Sequence, residues 1–324
     1  LKVGFSRKPS PFHLDIMVHT GAPELHAVLL KLVHEPAARE ELLKLRHVEG
    51  ELSGRLVLGE TIEALTPVVA ISEAKVSADY QPVPFPIVIR RGRLKYDPAM
   101  IQLENAQASV GRSSFDDLDV TWHRDGSREM SVESKRTSLD LRQTDTLLRK
   151  FRALSSHLEN LKSISGQLNL QRLSLRGAYD DPSRWTFAST GTLTQVEIRH
   201  ADFPDRVRLP RGKFEANEQR IIFSDVLATI SDASFSIGGR VEYKTSALTQ
   251  MDVSGTGTLG ARMTQWLSGY ADLPEQLSLR TPLDIAETRL TWQAAGDISL
   301  HGQATVAGGP RLSVDAVKKP HGLA

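Results

Sequence analysis

A chain of 324 residues without a single cysteine excludes thiolate catalysis, disulfide stapling and cysteine-ligated zinc. Its 40 basic and 39 acidic residues leave a net charge of +1, which excludes the strong basic excess of a dedicated nucleic-acid binder. With 40% hydrophobic and 24% charged residues, it has the composition of a folded body rather than of a disordered segment.

In chain order, Val3-Gly4-Phe5 reads as the end of a strand already under way, and the first residue is Leu1 rather than Met. The chain is therefore expected to be a fragment or a processed product whose targeting segment lies outside it. Phe12 to Val18 reads as a strand feeding a helix over Pro23 to Arg46, with a proline and an acid in its first turn and Leu25, Leu29, Leu32 and Val33 at helical spacing. Pro36 should kink or split that helix. A second helix is expected from Thr144 to Leu161 (stripe Leu147, Leu148, Phe151, Leu154, Leu158, Leu161) and a third from Arg262 to Tyr270 (stripe Met263, Trp266, Leu267, Tyr270). No apolar run reaches the ~18–20 residues that span a bilayer.

Between the helices, short alternating segments read as strands: Leu56 to Leu58, Ile87 to Ile89, Ile101 to Leu103, Leu118 to Val120, Leu168 to Leu170, Leu173 to Leu175, Val196 to Ile198, Ile221 to Phe223, Val241 to Tyr243 and Leu283 to Ile285. Alternation gives each an apolar and a polar face. Gly54, Gly92, Gly166 and Gly212 are expected at tight turns or bends between strands.

A repeat organises these elements. Arg91-Gly92-Arg93-Leu94 aligns with Arg211-Gly212-Lys213-Phe214 at an offset of 120 (212 − 92). The same offset sets Ile101 on Ile221, Leu103 on Phe223, Val110 on Ile230 and Phe115 on Phe235, and brings Trp122 to within one residue of Tyr243. The expected divisions are 1–48 (end of one unit plus helix), 49–161 and 162–275 (two full units, strands then helix), and 276–324 (a partial unit). A short alternating strand cannot bury its apolar face alone, so stacked units must share one apolar surface. The fold class is mainly β with a few helices: a repetitive, elongated β-groove or β-sandwich-like array. Alternation fits both, with the apolar face either open or closed into a core.

Searches for reactive constellations return turns and solvated faces. His123-Arg124-Asp125 matches a kinase catalytic-loop triplet but lacks its following asparagine and reads as a hairpin turn. Gly255-Thr256-Gly257-Thr258-Leu259-Gly260 has dinucleotide-binding spacing, yet no helix–strand alternation surrounds it. Asp116-Asp117-Asp119 and Asp180-Asp181 read as acidic turns rather than calcium loops. His13, His19, His26 and His34 lack metal-motif spacing, and Ser114, Ser155 and Ser156 lack nucleophile-elbow flanks. Arg90, Arg91, Arg93 and Lys95 read as a solvated strand face, and the Arg149-Lys150-Arg152 helix as one that packs on the sheet. No catalytic residue, metal ligand or cofactor is assigned, and no enzyme activity is expected.

Three phrases carry a family resemblance: Thr137-Ser138-Leu139-Asp140-Leu141 running into Leu147-Leu148; the Gly-x-Leu-x-Leu starts at Gly54 and Gly166; and the glycine–strand–turn–strand–Phe phrase around Gly92 and Gly212, ending in Phe235-Ser236-Ile237-Gly238-Gly239. In these the chain resembles the AsmA-like superfamily of Gram-negative envelope proteins, which includes the AsmA, TamB and YhdP types. The resemblance implies a periplasmic β-groove that assists phospholipid transport between the inner and outer membranes and envelope integrity. It also implies a tether to the inner membrane, here by a segment outside this chain. The expected partners are phospholipid acyl chains, with inner- and outer-membrane proteins besides, and no nucleic acid. The expected lining residues are Leu56, Leu58, Ile101, Leu103, Val110, Phe115, Leu168, Leu170, Ile221, Phe223, Ile230 and Phe235. The rival expectation is a structural β-sandwich array that binds protein partners without lipid.

Overall fold

A computed structural model describes residues 11–33, 36–61, 65–124, 128–150, 158–178, 181, 184–244, 247–270, 282–294, 299–306, 309 and 311–315. The fold is mainly β and repetitive. Among the described residues, sixteen strands pair antiparallel in chain order. The first group is β1 (Pro11–Gly21), β2 (Leu45–Thr61), β3 (Leu65–Tyr80), β4 (Ile87–Tyr96), β5 (Met100–Val110), β6 (Ser113–His123) and β7 (Glu129–Asp140). The second is β8 (Leu161–Ala178), β9 (Thr186–His200), β10 (Val207–Asn217), β11 (Arg220–Ile230), β12 (Ala233–Lys244), β13 (Ala247–Leu259), β14 (Leu283–Gln293), β15 (Ser299–Val306) and β16 (Arg311–Asp315). Helices α1 (Ala22–Leu32) and α2 (Pro36–Leu43) stand between β1 and β2, α3 (Leu141–Leu148) between β7 and β8, and α4 (Ala261–Tyr270) between β13 and β14. The chain forms two compact units. Unit one holds Leu1–Thr137 and Leu173–Trp185, and unit two holds Ser138–Arg172 and Thr186–Ala324.

The repeat is a repeat of register. In unit one Leu94 pairs with Leu103 and Ala108 with Phe115; in unit two Phe214 pairs with Phe223 and Ala228 with Phe235, each 120 residues on (214 − 94; 235 − 115). The irregularities recur as well. β5 shifts register between Leu103 and Ala106 around Asn105, and β11 between Phe223 and Val226 around Asp225. Both residues take positive φ (49° and 53°), a conformation that Asn and Asp tolerate better than most side chains. The following turns keep the pattern with Gly111 (57°) and Ser231 (52°). The β4–β5 and β10–β11 turns are stitched alike: Asp97 Oδ1 accepts from the Ala99 and Met100 amides at 2.8 Å, and Asn217 Oδ1 from those of Gln219 and Arg220 at 2.9 Å.

Several expectations need correction. The strands are long, and Leu168 to Leu170 and Leu173 to Leu175 belong to one strand, β8, of 18 residues. Gly54, Gly92, Gly166 and Gly212 lie inside β2, β4, β8 and β10 rather than at turns. Gly166 has φ +109°, and a Cβ there would stand 2.5 Å from the Gln195 carbonyl oxygen, so this strand position requires a glycine. Asp116, Asp117 and Asp119 sit in β6, not in a turn; Asp117 is at φ 49°, and Asp119 Oδ1 accepts the amide of the bulged Asn105 at 2.8 Å.

The first helix is split, as Pro36 required, but it ends at Leu43 and β2 begins at Leu45. The second starts earlier than Thr144, because Asp140 accepts the Gln143 amide at 3.0 Å and caps α3 at its start; α3 ends at Leu148, and residues 151–157 of the expected helix lie outside the described residues. At its other end Arg149 reaches Asp145 at 3.0 Å and donates to the carbonyl of Leu161, the first residue of β8. The expectations for Val3 to Phe5, His34, Asp125, Phe151, Arg152, Leu154, Ser155, Ser156 and Asp180 fall outside the described residues.

Candidate functional site

Registered partners in an antiparallel pair project to the same face, so the pairing identifies one continuous apolar surface in each unit. Across unit one it runs Leu58 and Leu56 on β2; Val69, Ile71 and Val76 on β3; Tyr96, Leu94 and Ile89 on β4; Ile101, Leu103, Ala108 and Val110 on β5; and Trp122, Val120 and Phe115 on β6. Across unit two it includes Val207, Leu209, Phe214 and Ala216 on β10, Ile221, Phe223, Val226, Ala228 and Ile230 on β11, and Phe235, Ile237 and Val241 on β12.

Burial follows a pattern along these strands. The positions nearest the bulges are enclosed and carry small or compact residues: Ala106 is 0% exposed, Val226 4%, and Gly92 and Gly212 are buried. A Cβ on Gly92 would stand 3.2 Å from those of Ala106, and one on Gly212 2.7 Å from a Val226 methyl. A bulge bends its strand. Bulges aligned on β4 and β5, and again on β10 and β11, therefore set a crease where only small groups fit. Away from the crease many of the apolar side chains are half-buried, while Val69, Ile71 and Ile230 are buried, and among the described residues no large side chain falls below 2% exposure. Among those residues, no second sheet covers this face.

All twelve expected lining residues are strand residues. In unit one, Leu56, Leu58, Ile101, Leu103, Val110 and Phe115 share the apolar face and are half-buried. In unit two, Ile221, Phe223, Ile230 and Phe235 share it through the β10–β12 register. Leu168 and Leu170 lie on β8, with Leu170 buried and its backbone packed against Gly191. The opposite face is charged. Arg90, Arg91, Arg93 and Lys95 are exposed there as expected, and Lys95 pairs with Glu104 at 2.9 Å. Further pairs join strand to strand, Lys213 to Asp225 at 2.9 Å and Arg289 to Asp252 at 2.6 Å.

The helices lie at one end of the strands and cover the apolar face there. In unit one Ala22 of α1 packs with Leu52, Val69, Ile71 and Ala74. In unit two Met263 and Trp266 of α4 pack with Ile230, Ala233, Leu259 and Leu283. The N-terminus of α4 is held by Asp232 of the β11–β12 turn, whose carboxylate accepts from the Arg262 amide at 2.9 Å and the Met263 amide at 3.0 Å. Those bonds, the Arg262 one foremost, hold the Asp232 carboxyl below the usual carboxylate range.

Where β4 ends at Tyr96 and β6 at His123, the apolar face of unit one finishes in a polar rim that composition alone does not reveal. Tyr96 and Trp122 flank Ile101 in register. Arg124, which follows Trp122 on the same side, has its guanidinium 5.3 Å from the centre of the Tyr96 ring and donates to Tyr96 Oη at 2.9 Å. Burial pulls the Arg124 pKa below the usual arginine value and pushes the Tyr96 phenol up, with Asp97 adding to the latter. The signal for this trio was present: Asp97-Pro98 sets a tight β4–β5 turn, which places Tyr96 opposite Ile101.

The remaining motifs resolve into structure. Gly255 and Gly257 lie mid-strand in β13, paired on both sides, so they form no phosphate-cradling turn. His19 Nδ1 meets Ser53 Oγ at 2.8 Å, His26 Nε2 meets the Leu42 carbonyl at 2.9 Å, and no group of three or more potential metal ligands is found among the described residues. No described helix is long and apolar enough to cross a membrane. Compared with known proteins, the chain matches no family model, no curated protein and no solved structure.

Proposed function

We propose that this chain is a non-enzymatic lipid-binding module whose apolar sheet face holds phospholipid acyl chains. The observation that carries this reading is a continuous apolar face of Leu, Ile, Val and Phe side chains, many of them half-buried, that no second sheet covers among the described residues, backed by a face of ion pairs. Such a face gains about 0.8 kcal/mol for each CH₂ it takes out of water, while head groups remain at the rim. Binding would be passive, with successive strands offering equivalent apolar positions along which chains slide. The resemblance to AsmA-like envelope proteins supports a periplasmic setting, a tether to the inner membrane outside this chain, and a part in moving phospholipid between the two membranes, with membrane proteins at either end as partners.

Native mass spectrometry and lipid extraction of the purified chain test the reading. Co-purifying phospholipid that leaves on delipidation and returns on exposure to vesicles is the expected result. A protein that neither carries nor takes up lipid, yet binds envelope proteins, would establish the rival structural array instead.

A further inference from the structure

We infer that the rim of unit one formed by Tyr96, Trp122 and Arg124 is a head-group site that takes the phosphodiester of a phospholipid whose acyl chains lie on the adjoining apolar face. The inference rests on the lipid-binding reading and adds to it a place and a polarity.

Three observations carry it. First, Arg124 brings a cation to the apolar side of the sheet, 5.3 Å from the Tyr96 ring centre, whereas Arg90, Arg91, Arg93 and Lys95 stand exposed on the opposite face. A guanidinium matches a phosphate by two parallel N–H bonds, and partial burial strengthens that pairing. Second, Tyr96 and Trp122 have the amphipathic rings that favour the boundary between hydrocarbon and water. They stand on either side of Ile101, where the apolar rows of β4, β5 and β6 end. Third, β4 ends at Tyr96 and β6 at His123, so the rim stands at a strand end, and Tyr96 also packs against the apolar cluster that Ala22 of α1 joins, which ties the rim to the apolar face.

The repeat supplies an internal control. The Arg124 amide donates to the Ala99 carbonyl at 2.7 Å, and the Tyr243 amide to the Gln219 carbonyl at 2.7 Å, so Tyr243 occupies the Arg124 position in unit two. Ile101 pairs with Tyr96 and Trp122, while Ile221 pairs with Ala216 and Val241. Ala216, Val241 and Tyr243 therefore stand where unit one has Tyr96, Trp122 and Arg124, and that row carries no cation.

The test uses the full chain and two fluorescent probes, phosphatidylglycerol and diacylglycerol, delivered from phosphatidylcholine vesicles. Arg124→Ala should bind phosphatidylglycerol about tenfold more weakly and diacylglycerol as the wild type does, and Arg124→Lys should recover part of the loss. Inorganic phosphate alone should leave the melting temperature unchanged; stabilisation by it equal to that by lipid would make this a free-anion site and overturn the lipid assignment. Equal binding of phosphatidylglycerol by wild type and a folded Arg124→Ala variant, or a loss for both probes alike, also overturns the site. Should that variant fail to fold, salt decides on the wild type: phosphatidylglycerol binding must weaken with ionic strength while diacylglycerol binding does not, and equal salt dependence sinks the proposal. A wild type that binds neither probe refutes the underlying lipid reading, a failure distinct from the loss of the head-group site alone.

Discussion

The three strands β4–β6 of unit one and β10–β12 of unit two share one backbone plan and fill it differently. Bulges at Asn105 and Asp225, turns at Gly111 and Ser231, and the Asp97 and Asn217 stitches recur at the same spacing. The contents of the crease do not. Gly92 faces Ala106 in the first, and Gly212 faces Val226 in the second. Within unit two the helix caps differ as well: α3 is capped from within its own segment by Asp140, whereas α4 is capped by Asp232 of the β11–β12 turn. The comparison separates what the fold demands, a bend at a fixed place, from what each unit can vary, the volume in the bend and the chemistry at the rim.

The largest expected difference is in the crease. Gly212→Ala forces a methyl against the Val226 side chain and should cost about 2 kcal/mol. The equivalent Gly92→Ala meets atoms at 3.2 Å that yield more easily, and should cost less than about 1 kcal/mol. Val226→Ala gives unit two the alanine of unit one, so Gly212→Ala made in that background should lose at least half its penalty, a coupling that urea unfolding of the double-mutant cycle measures. Equal costs for the two glycines would break the comparison.

A smaller effect belongs to the caps. Asp232→Ala should destabilise by about 1 kcal/mol through α4. The Asp232 pKa is depressed in the folded state, so its contribution is complete above the ordinary value of about 3.9 and is lost as pH falls through the lower folded value. Melts of wild type and Asp232→Ala should therefore differ at neutral pH and converge in acid; a gap that persists there would show that the carboxylate is not the cap.

Much of this plan was legible in residues. The phrases around Gly92 and Gly212 share an offset because both repeats need a small residue at the same crease, and the apolar alternation of Ile101-Leu103 and Ile221-Phe223 marks the right face. Strand lengths were hidden, because Gly, Asn and Asp signal turns and bulges alike, and here bulges absorb them inside continuous strands. The same ambiguity displaced one alignment. Trp122 and Tyr243 stand a residue apart by counting, but the extra residue at the Asp117 bulge in β6 makes Val241 the counterpart of Trp122. The rim was masked for a related reason: Arg124 sits in a triplet that reads as a turn, and only the register shows which face it joins.

The central claim is that the apolar face is an open binding surface rather than a closed core, and the absence of cysteine makes it directly measurable. Single cysteines at Leu103 and Phe223 on the apolar face, and at Arg93 and Ser224 on the charged face, can be reacted with a water-soluble maleimide before and after addition of phospholipid vesicles. The account predicts that all four react in the delipidated protein and that lipid protects Leu103→Cys and Phe223→Cys alone. Apolar-face cysteines that stay unreactive without lipid, or react equally with it, would contradict an open lipid-holding face.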